Sequence, residues 1–332
     1  MVRAALLTAH ELAGLRVQDA PSPRLAPDEV LIRVATVAVN QLDLNVISGR
    51  GPGAAARLPR ILGLDPAGTI LQCGAQVADR VGEVVVVKPN IPCGACRWCL
   101  AGDEADCPSQ TVVGVHRDGG AAEFVAVPAA SAFAIGTLAP ERATSVVHSA
   151  PIVLNALEAV EVGPSDRVLV TGAGGTLGRA AVALARHRGA RVTAASRRQL
   201  ADEAALVEPD AAALAARLQR DGLRFDVVLD VSGHAATLAA AVSALDWKGR
   251  AVYCGASVDH TLTIDARDFY LQRKTLRGVA SASYGHVREA LALAEAGVLP
   301  DLIGARYELS DIAEAYANYP LPGGGKAVVH VR

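Results

Sequence analysis

No stretch of this 332-residue sequence approaches the ~18 apolar residues of a membrane-spanning helix, so no membrane partner is expected. Its first residues, Met1-Val2-Arg3-Ala4-Ala5-Leu6-Leu7, run straight into polar ones. They lack the long apolar core and small-residue cleavage site of a secretory leader, and a cytoplasmic location is expected. An excess of either charge is missing too: 32 Lys and Arg stand against 34 Asp and Glu, a net charge of −2 with no block of like charge. Nucleic acid binding needs a concentrated basic face, so no nucleic acid partner is expected either. Aromatics make up only 4% of the chain, while 51% is apolar and 20% charged. That is the make-up of α/β globular material, long enough here for two domains with cores of their own. Internal repeats and low-complexity linkers are absent as well.

Cysteine is scarce but unevenly placed. Of six, Cys73 and Cys254 stand alone, and four crowd together as Cys93-x2-Cys96-x2-Cys99-x7-Cys107. In a reducing compartment such a cluster points to metal rather than to disulfides. Four thiolates in one short loop form a closed tetrahedral zinc site with no open position, so its role is to hold a lobe together. The first three cysteines and Cys107-Pro108 also suit an iron–sulfur run, but that run has three residues before its last cysteine, and the gap of seven fits zinc better.

The first third of the chain is β-rich, with strands expected at Glu29–Ala35, Gly82–Lys88 and Ala122–Val127. The middle changes rhythm. Strands at Arg167–Thr171, Arg191–Ser196, Phe225–Val231 and Gly249–Cys254 alternate with helices at Arg179–Arg188, Asp210–Arg220 and Ala235–Leu245, which implies a parallel sheet covered on both faces. The end reads as a helix Val287–Gly297, a short helix Ser310–Ala317 and a strand Ala327–Val331. That tail is too small to bury its own core, so it is expected to pack back onto the N-terminal domain.

Between the first of the middle strands and its helix lies Gly172-Ala173-Gly174-Gly175-Thr176-Leu177-Gly178. Glycine there permits a tight turn and lets backbone N–H groups approach a pyrophosphate at a helix N-terminus, the arrangement of a dinucleotide site. The spacing departs from a strict G-x-G-x-x-G by one residue, and no Lys-Ser/Thr pair follows, which excludes a Walker-type phosphate loop. An acid at the end of the second strand would select NAD. Here that strand ends Ser196-Arg197-Arg198, about twenty residues after the turn. A serine and two arginines suit a 2′-phosphate, so the expected cofactor is NADP(H).

Cluster and turn, in this order, resemble the medium-chain dehydrogenase/reductase superfamily, the zinc alcohol dehydrogenases and quinone oxidoreductases. The likeness extends to Pro21-x-Pro23 before Asp28-Glu29-Val30, Asp118-Gly-Gly-Ala-Ala-Glu-Phe124, Gly249-Arg-Ala-Val and Gly325-Lys326-Ala-Val-Val. It implies a GroES-like β-rich substrate domain (1–148 and 281–332) carrying the zinc lobe at about 93–107, and a Rossmann doubly wound parallel-sheet domain (149–280) inserted between its two parts. The active site is then expected between the domains. The resemblance also implies a homodimer or homotetramer, with Ser257–Ile264 expected as an edge strand pairing across a dimer.

The departures from the zinc enzymes bear on chemistry. Where those place a catalytic zinc on Cys, on His of Gly-His-Glu and on a later Cys, this chain holds Asn40, Gly63-Leu64-Asp65 and, by a less direct alignment, His148. The proton-relay hydroxyl and its outer His are replaced by Leu42 and Asn45. Leucine cannot ligate a metal, and an amide ligates zinc poorly. Val39-Asn40-Gln-Leu-Asp43 and Gly63-Leu-Asp65-Pro-Ala-Gly68 follow the zinc-free quinone and enone reductases instead. The expected activity is NADPH-dependent reduction of an enone or quinone as small-molecule substrate, with one structural Zn2+ per chain and none at the reacting carbon. Asn40 is expected as a hydrogen-bond donor to substrate, His148 as a proton source, and Asp43 and Asp65 as orienting groups. Two other readings remain: a zinc-dependent alcohol or ketone dehydrogenase with an unusual ligand set around His148, and a cofactor-binding regulator without turnover.

Overall fold

Four consecutive valines, Val84–Val87, form a strand because β-branched side chains fit a pleated surface, and the last three are fully buried. They belong to the first of two units. In the computed structural model, residues 1–200, 204–255 and 258–331 are described, and they divide into Met1–His148 with Ser283–Ala296 and the chain from Asp301, against Ser149–Ala282 with Gly297–Pro300.

The first unit is built on a seven-stranded sheet in the order Ala132–Ala134, Val84–Val87, Ala67–Cys73, Glu29–Ala38, Lys326–His330, Ile303–Glu308, with Phe124–Pro128 also pairing to Glu29–Ala38. The C-terminal tail does pack back: Val328 stands opposite Ala38 and His330 opposite Thr36. Gly68 is required where two strands close up, since a Cβ there would meet the Arg33 carbonyl oxygen at 2.0 Å. Beside this sheet, Val2–Leu7 pairs with Leu15–Ala20 and with Arg60–Ile61. The cysteine lobe is closed at its base by the two-stranded pair Asn90–Ile91 and Thr111–Val112.

The second unit holds a six-stranded, all-parallel sheet in the order Ala205–Val207, Arg191–Ser196, Arg167–Thr171, Phe225–Asp230, Leu245–Tyr253, Thr275–Gly278. The helices Thr176–His187, Ala211–Arg220 and Ala235–Ser243 link its strands, as expected of a doubly wound sheet. Segment 258–264 carries no strand, contrary to expectation, and Ser257 lies outside the described residues. Leu262 and Ile264 instead pack against the core beneath, and the outermost strand on this side is Thr275–Gly278. Among the described residues, no helix is long and apolar enough to cross a membrane.

Candidate functional site

The strand Arg167–Thr171 runs directly into the glycine-rich turn. Gly172 adopts a φ of 74°, and the Ala173 N–H is held by the Ala195 carbonyl at 3.1 Å. The helix begins at Thr176, three residues earlier than its composition suggests, with Gly175 as N-cap. Thr176, Leu177 and Gly178 therefore form its first turn, where backbone N–H groups have no intrahelical acceptor and the helix dipole is positive. Gly178 is fixed by crowding, since a Cβ on it would lie 2.1 Å from the Gly172 carbonyl oxygen. Gly175 faces a more open side, where a Cβ would meet only the Gly172 oxygen at 3.5 Å, while a Cβ on Gly174 would meet side-chain ends alone, Leu200 Cδ2 at 3.1 Å and Ser196 Oγ at 3.2 Å. The turn thus offers bare backbone to an anion, beside the Ser196 hydroxyl and the exposed Arg197 and Arg198. These residues fit a dinucleotide phosphate.

Asp230, which no motif in the sequence singles out, supports the turn from below. It ends the neighbouring strand, accepts from Thr171 Oγ1 at 2.5 Å and from Ser232 Oγ, and is 1% exposed. Burial raises it to about 6, against the pull of those hydroxyls. The only sequence signal was an acid closing an apolar strand opposite a threonine.

Cys93, Cys96, Cys99 and Cys107 do converge, their sulfur atoms all within 4.8 Å of one another. A short helix, Arg97–Leu100, turns Cys99 back toward Cys96, and the Cys93 N–H points at Cys107 Sγ at 3.3 Å. Backbone N–H groups of Ala95 and Cys96 lower the Cys93 thiol to about 6. Four sulfurs so close, with N–H donors toward them, fit a tetrahedral structural zinc. Among the described residues this is the single group of three or more His, Cys, Asp or Glu with metal-ligating atoms so gathered.

Asn40, Asp43, Asp65 and His148, far apart in sequence, come together in the first unit. Asn40 leaves the strand Glu29–Ala38 to cap the helix Gln41–Ser48, and Asp43 reaches back to accept the Asn40 N–H at 2.9 Å. The other Asp43 oxygen accepts the Gly63 N–H at 3.2 Å, which ties in the loop bearing Asp65. Helix Pro140–Val147 is joined to the same strand through Thr36 and Thr144 hydroxyls 3.0 Å apart, which places His148, at its C-cap, beside Asn40.

The hub is Asn40. Its Nδ2 donates to the Ala38 carbonyl (3.1 Å) and to Asp65 Oδ2 (3.0 Å), and its Oδ1 accepts from Lys326 Nζ and faces His148 Nδ1 at 2.8 Å. Ammonium on one side and acceptors on the other fix the amide orientation, so His148 Nδ1 is the donor. Asp65 is equally engaged: Oδ1 accepts the Ala38 N–H at 3.0 Å and Oδ2 lies 3.5 Å from Lys326 Nζ. In the sequence Lys326 stands only as part of the closing Gly-Lys motif; in the fold it is the buried cation of the site.

The electrostatics follow from this packing. Burial, helped by the charges of Lys326 and Lys88, pushes His148 down to about 3, so it is neutral with Nδ1 protonated and Nε2 bare. Burial and the neighbouring Asp65 raise Asp43 to about 7. Two expected roles change accordingly. Both Asn40 amide protons are already committed within the protein, so Asn40 is not a free donor to substrate. A neutral His148 whose one N–H points at Asn40 is an acceptor at Nε2, not a proton source.

Comparison with known proteins gives a consistent picture. Residues 26–137 match the alcohol dehydrogenase GroES-like domain and residues 176–296 the zinc-binding dehydrogenase domain. An L-threonine 3-dehydrogenase of Streptomyces coelicolor is 30% identical over 98% of this chain and 98% of its own, and an L-galactonate-5-dehydrogenase of Escherichia coli is 28% identical over 87% of each. A cobalt- and zinc-bound thermostable alcohol dehydrogenase from Pyrobaculum aerophilum superposes with a TM-score of 0.88 at 30% identity, covering 99% of both chains.

Proposed function

Since the chain belongs to the medium-chain dehydrogenase/reductase superfamily, we propose that this oxidoreductase uses NADPH to reduce a conjugated carbonyl acceptor, an enone or quinone, without a catalytic zinc. One observation carries the reading: every side-chain oxygen of Asn40, Asp43 and Asp65 is already engaged by a protein donor, and one of those donors is the Lys326 ammonium. A fixed positive charge opposes a second cation, and His148 Nε2 alone is a weak basis for a zinc site.

The dinucleotide supplies the hydride when bound. The first helical turn, Thr176–Gly178, would hold its pyrophosphate, and Ser196, Arg197 and Arg198 its 2′-phosphate. Cys93, Cys96, Cys99 and Cys107 would hold one zinc that stiffens the lobe. A simple ketone becomes a localised alkoxide on reduction, which needs a Lewis acid or an acidic donor, and neutral His148 is neither. An enone or quinone becomes a delocalised anion that survives until water protonates it. Metal analysis joined to an NADPH-oxidation panel of enones, quinones, aldehydes and ketones tests the proposal. One zinc per chain with turnover of conjugated acceptors is expected. Two zincs with chelator-sensitive alcohol oxidation would sink it, and tight NADPH binding without turnover of any acceptor would favour a regulator.

A further inference from the structure

Lys88 is a second buried cation of the first unit; its charge helps keep His148 neutral, but none of the hydrogen bonds around Asn40 reaches it. It directly follows the valine strand and is 3% exposed, its backbone N–H bonded to the Ser131 carbonyl at 2.9 Å. Its Nζ donates to the Asn90 carbonyl and lies 5.6 Å from the centre of the Tyr284 ring, whose hydroxyl is 3.3 Å from Ser131 Oγ. It makes no ion pair among the described residues. A carbonyl and an aromatic face are modest compensation for a buried ammonium. Burial accordingly lowers it to about 8, and the charges acting in the opposite sense are those of Glu104, Cys107 and Cys99. All three belong to the cysteine lobe, and Tyr284 feels Glu104 and Cys99 as well. Asn90, which Lys88 grips, opens the strand pair at the base of that lobe.

We propose that Lys88 is the counter-cation of the four-cysteine lobe, its ammonium offsetting the negative charge that four thiolates retain around a divalent zinc. The inference rests on the reading that those cysteines hold zinc. With metal bound, the four thiolates leave two excess negative charges in the lobe, beside a cation with no carboxylate within ion-pair distance among the described residues. With the metal removed, uptake of protons by the thiols takes part of that charge away, while the ammonium keeps the Asn90 carbonyl, the Tyr284 ring and the field of Glu104. Lys88 therefore stabilises the zinc-loaded protein more than the stripped one, a difference that a merely space-filling side chain would not produce.

The experiment compares wild type, Lys88→Met and Lys88→Arg, zinc-loaded and stripped, by the rate of zinc loss to a colorimetric chelator and by melting temperature. Lys88→Met is expected to release zinc at least about tenfold faster, with Lys88→Arg close to wild type. Lys88→Met should lower the melting temperature of the zinc-loaded protein more than that of the stripped protein. Wild-type release by Lys88→Met, or an equal fall in melting temperature with and without zinc, overturns the proposal. Glu104→Gln supplies the remaining arm: a Lys88 effect that disappears in that background assigns the lysine to Glu104 instead. Wild type that takes up no zinc overturns this inference and the structural-zinc reading together, whereas normal zinc retention in Lys88→Met overturns the counter-cation alone.

Discussion

Replacing Lys326 with methionine removes the ammonium from Asn40 Oδ1 and Asp65 Oδ2 while keeping most of the stem volume. The two carboxylates beneath it, Asp43 and Asp65, are both fully buried. At 3.5 Å and an effective dielectric of 20, the attraction between Lys326 and Asp65 is about 5 kcal/mol. Breaking a buried pair by deleting one partner typically costs ~3–5 kcal/mol, and that is the loss expected at pH 8. The pH dependence sharpens the test. Asp43 stands at about 7 in the fold against 3.8 ordinarily, so its contribution favours folding below 3.8 and is lost as pH rises through about 7. Lys326 is one of the groups holding Asp43 down, so its removal extends that decline to higher pH. The deficit of Lys326→Met should therefore shrink at pH 5.5, where Asp43 is protonated and one negative charge has gone. Urea unfolding followed by circular dichroism at both pH values measures it, and the double variant Lys326→Met/Asp65→Asn should recover at least half. A loss under about 1 kcal/mol at pH 8, or one equally large at pH 5.5, would refute the assignment of Lys326 as the charge that sustains this site.

Alanine at both Arg197 and Arg198 should weaken NADPH roughly ten- to a hundredfold in fluorescence titration, and NADH by less than about threefold, as charge-assisted bonds to a 2′-phosphate require; equal losses refute the role. Gly178→Ala, with its Cβ 2.1 Å from the Gly172 oxygen, should destabilise by ~1–3 kcal/mol and loosen NADPH at least about tenfold. Gly175→Ala should leave stability unchanged, since its nearest protein contact is 3.5 Å away, so any loss of NADPH affinity there reports on the phosphate alone. His148 lies at about 3 in the fold against 6.5 ordinarily, so its contribution to stability is whole above 6.5 and lost as pH falls toward 3. Its NMR resonances should stay untitrated between pH 5 and 8, and a midpoint near 6.5 would contradict the buried, neutral imidazole.

What could be read from the amino acids was what short segments decide by themselves. Arg191–Ser196 and Arg167–Thr171 are legible to the residue, because short apolar runs closed by serine or glycine punctuation read as buried strands. The strand expected from Gly249 instead begins at Leu245, because Lys248 takes a positive φ and the pairing to Phe225–Asp230 shifts there. The helix after the turn begins at Thr176 because a first turn holding a glycine resembles loop until its hydrogen bonds are known. In the site, residue types were legible and roles were not. Asn40 looks like a donor until Ala38, Asp65, Lys326 and His148 are seen to take up its whole amide, and Lys326 has no meaning for Asp65 until the closing strand is laid beside Glu29–Ala38.

Asn40 and Lys326 are 286 residues apart, and a ribosome adding ~5–20 residues per second makes one roughly 15 to 60 s before the other. Throughout that interval Phe124–Pro128 can already pair with Glu29–Arg33, but the end of that strand, Thr36–Ala38, lacks the Lys326–His330 neighbour on the same side, and the carboxylates destined for burial have no cation to meet. Residues 149–282 are synthesised entirely within the wait and can complete their own sheet. The nascent chain thus carries a finished parallel sheet while the first unit still waits for its closing strand and for the Lys326 ammonium. In the cell, the vulnerable species is that half-closed intermediate: an exposed strand edge over a charged floor is what chaperones and proteases would meet first.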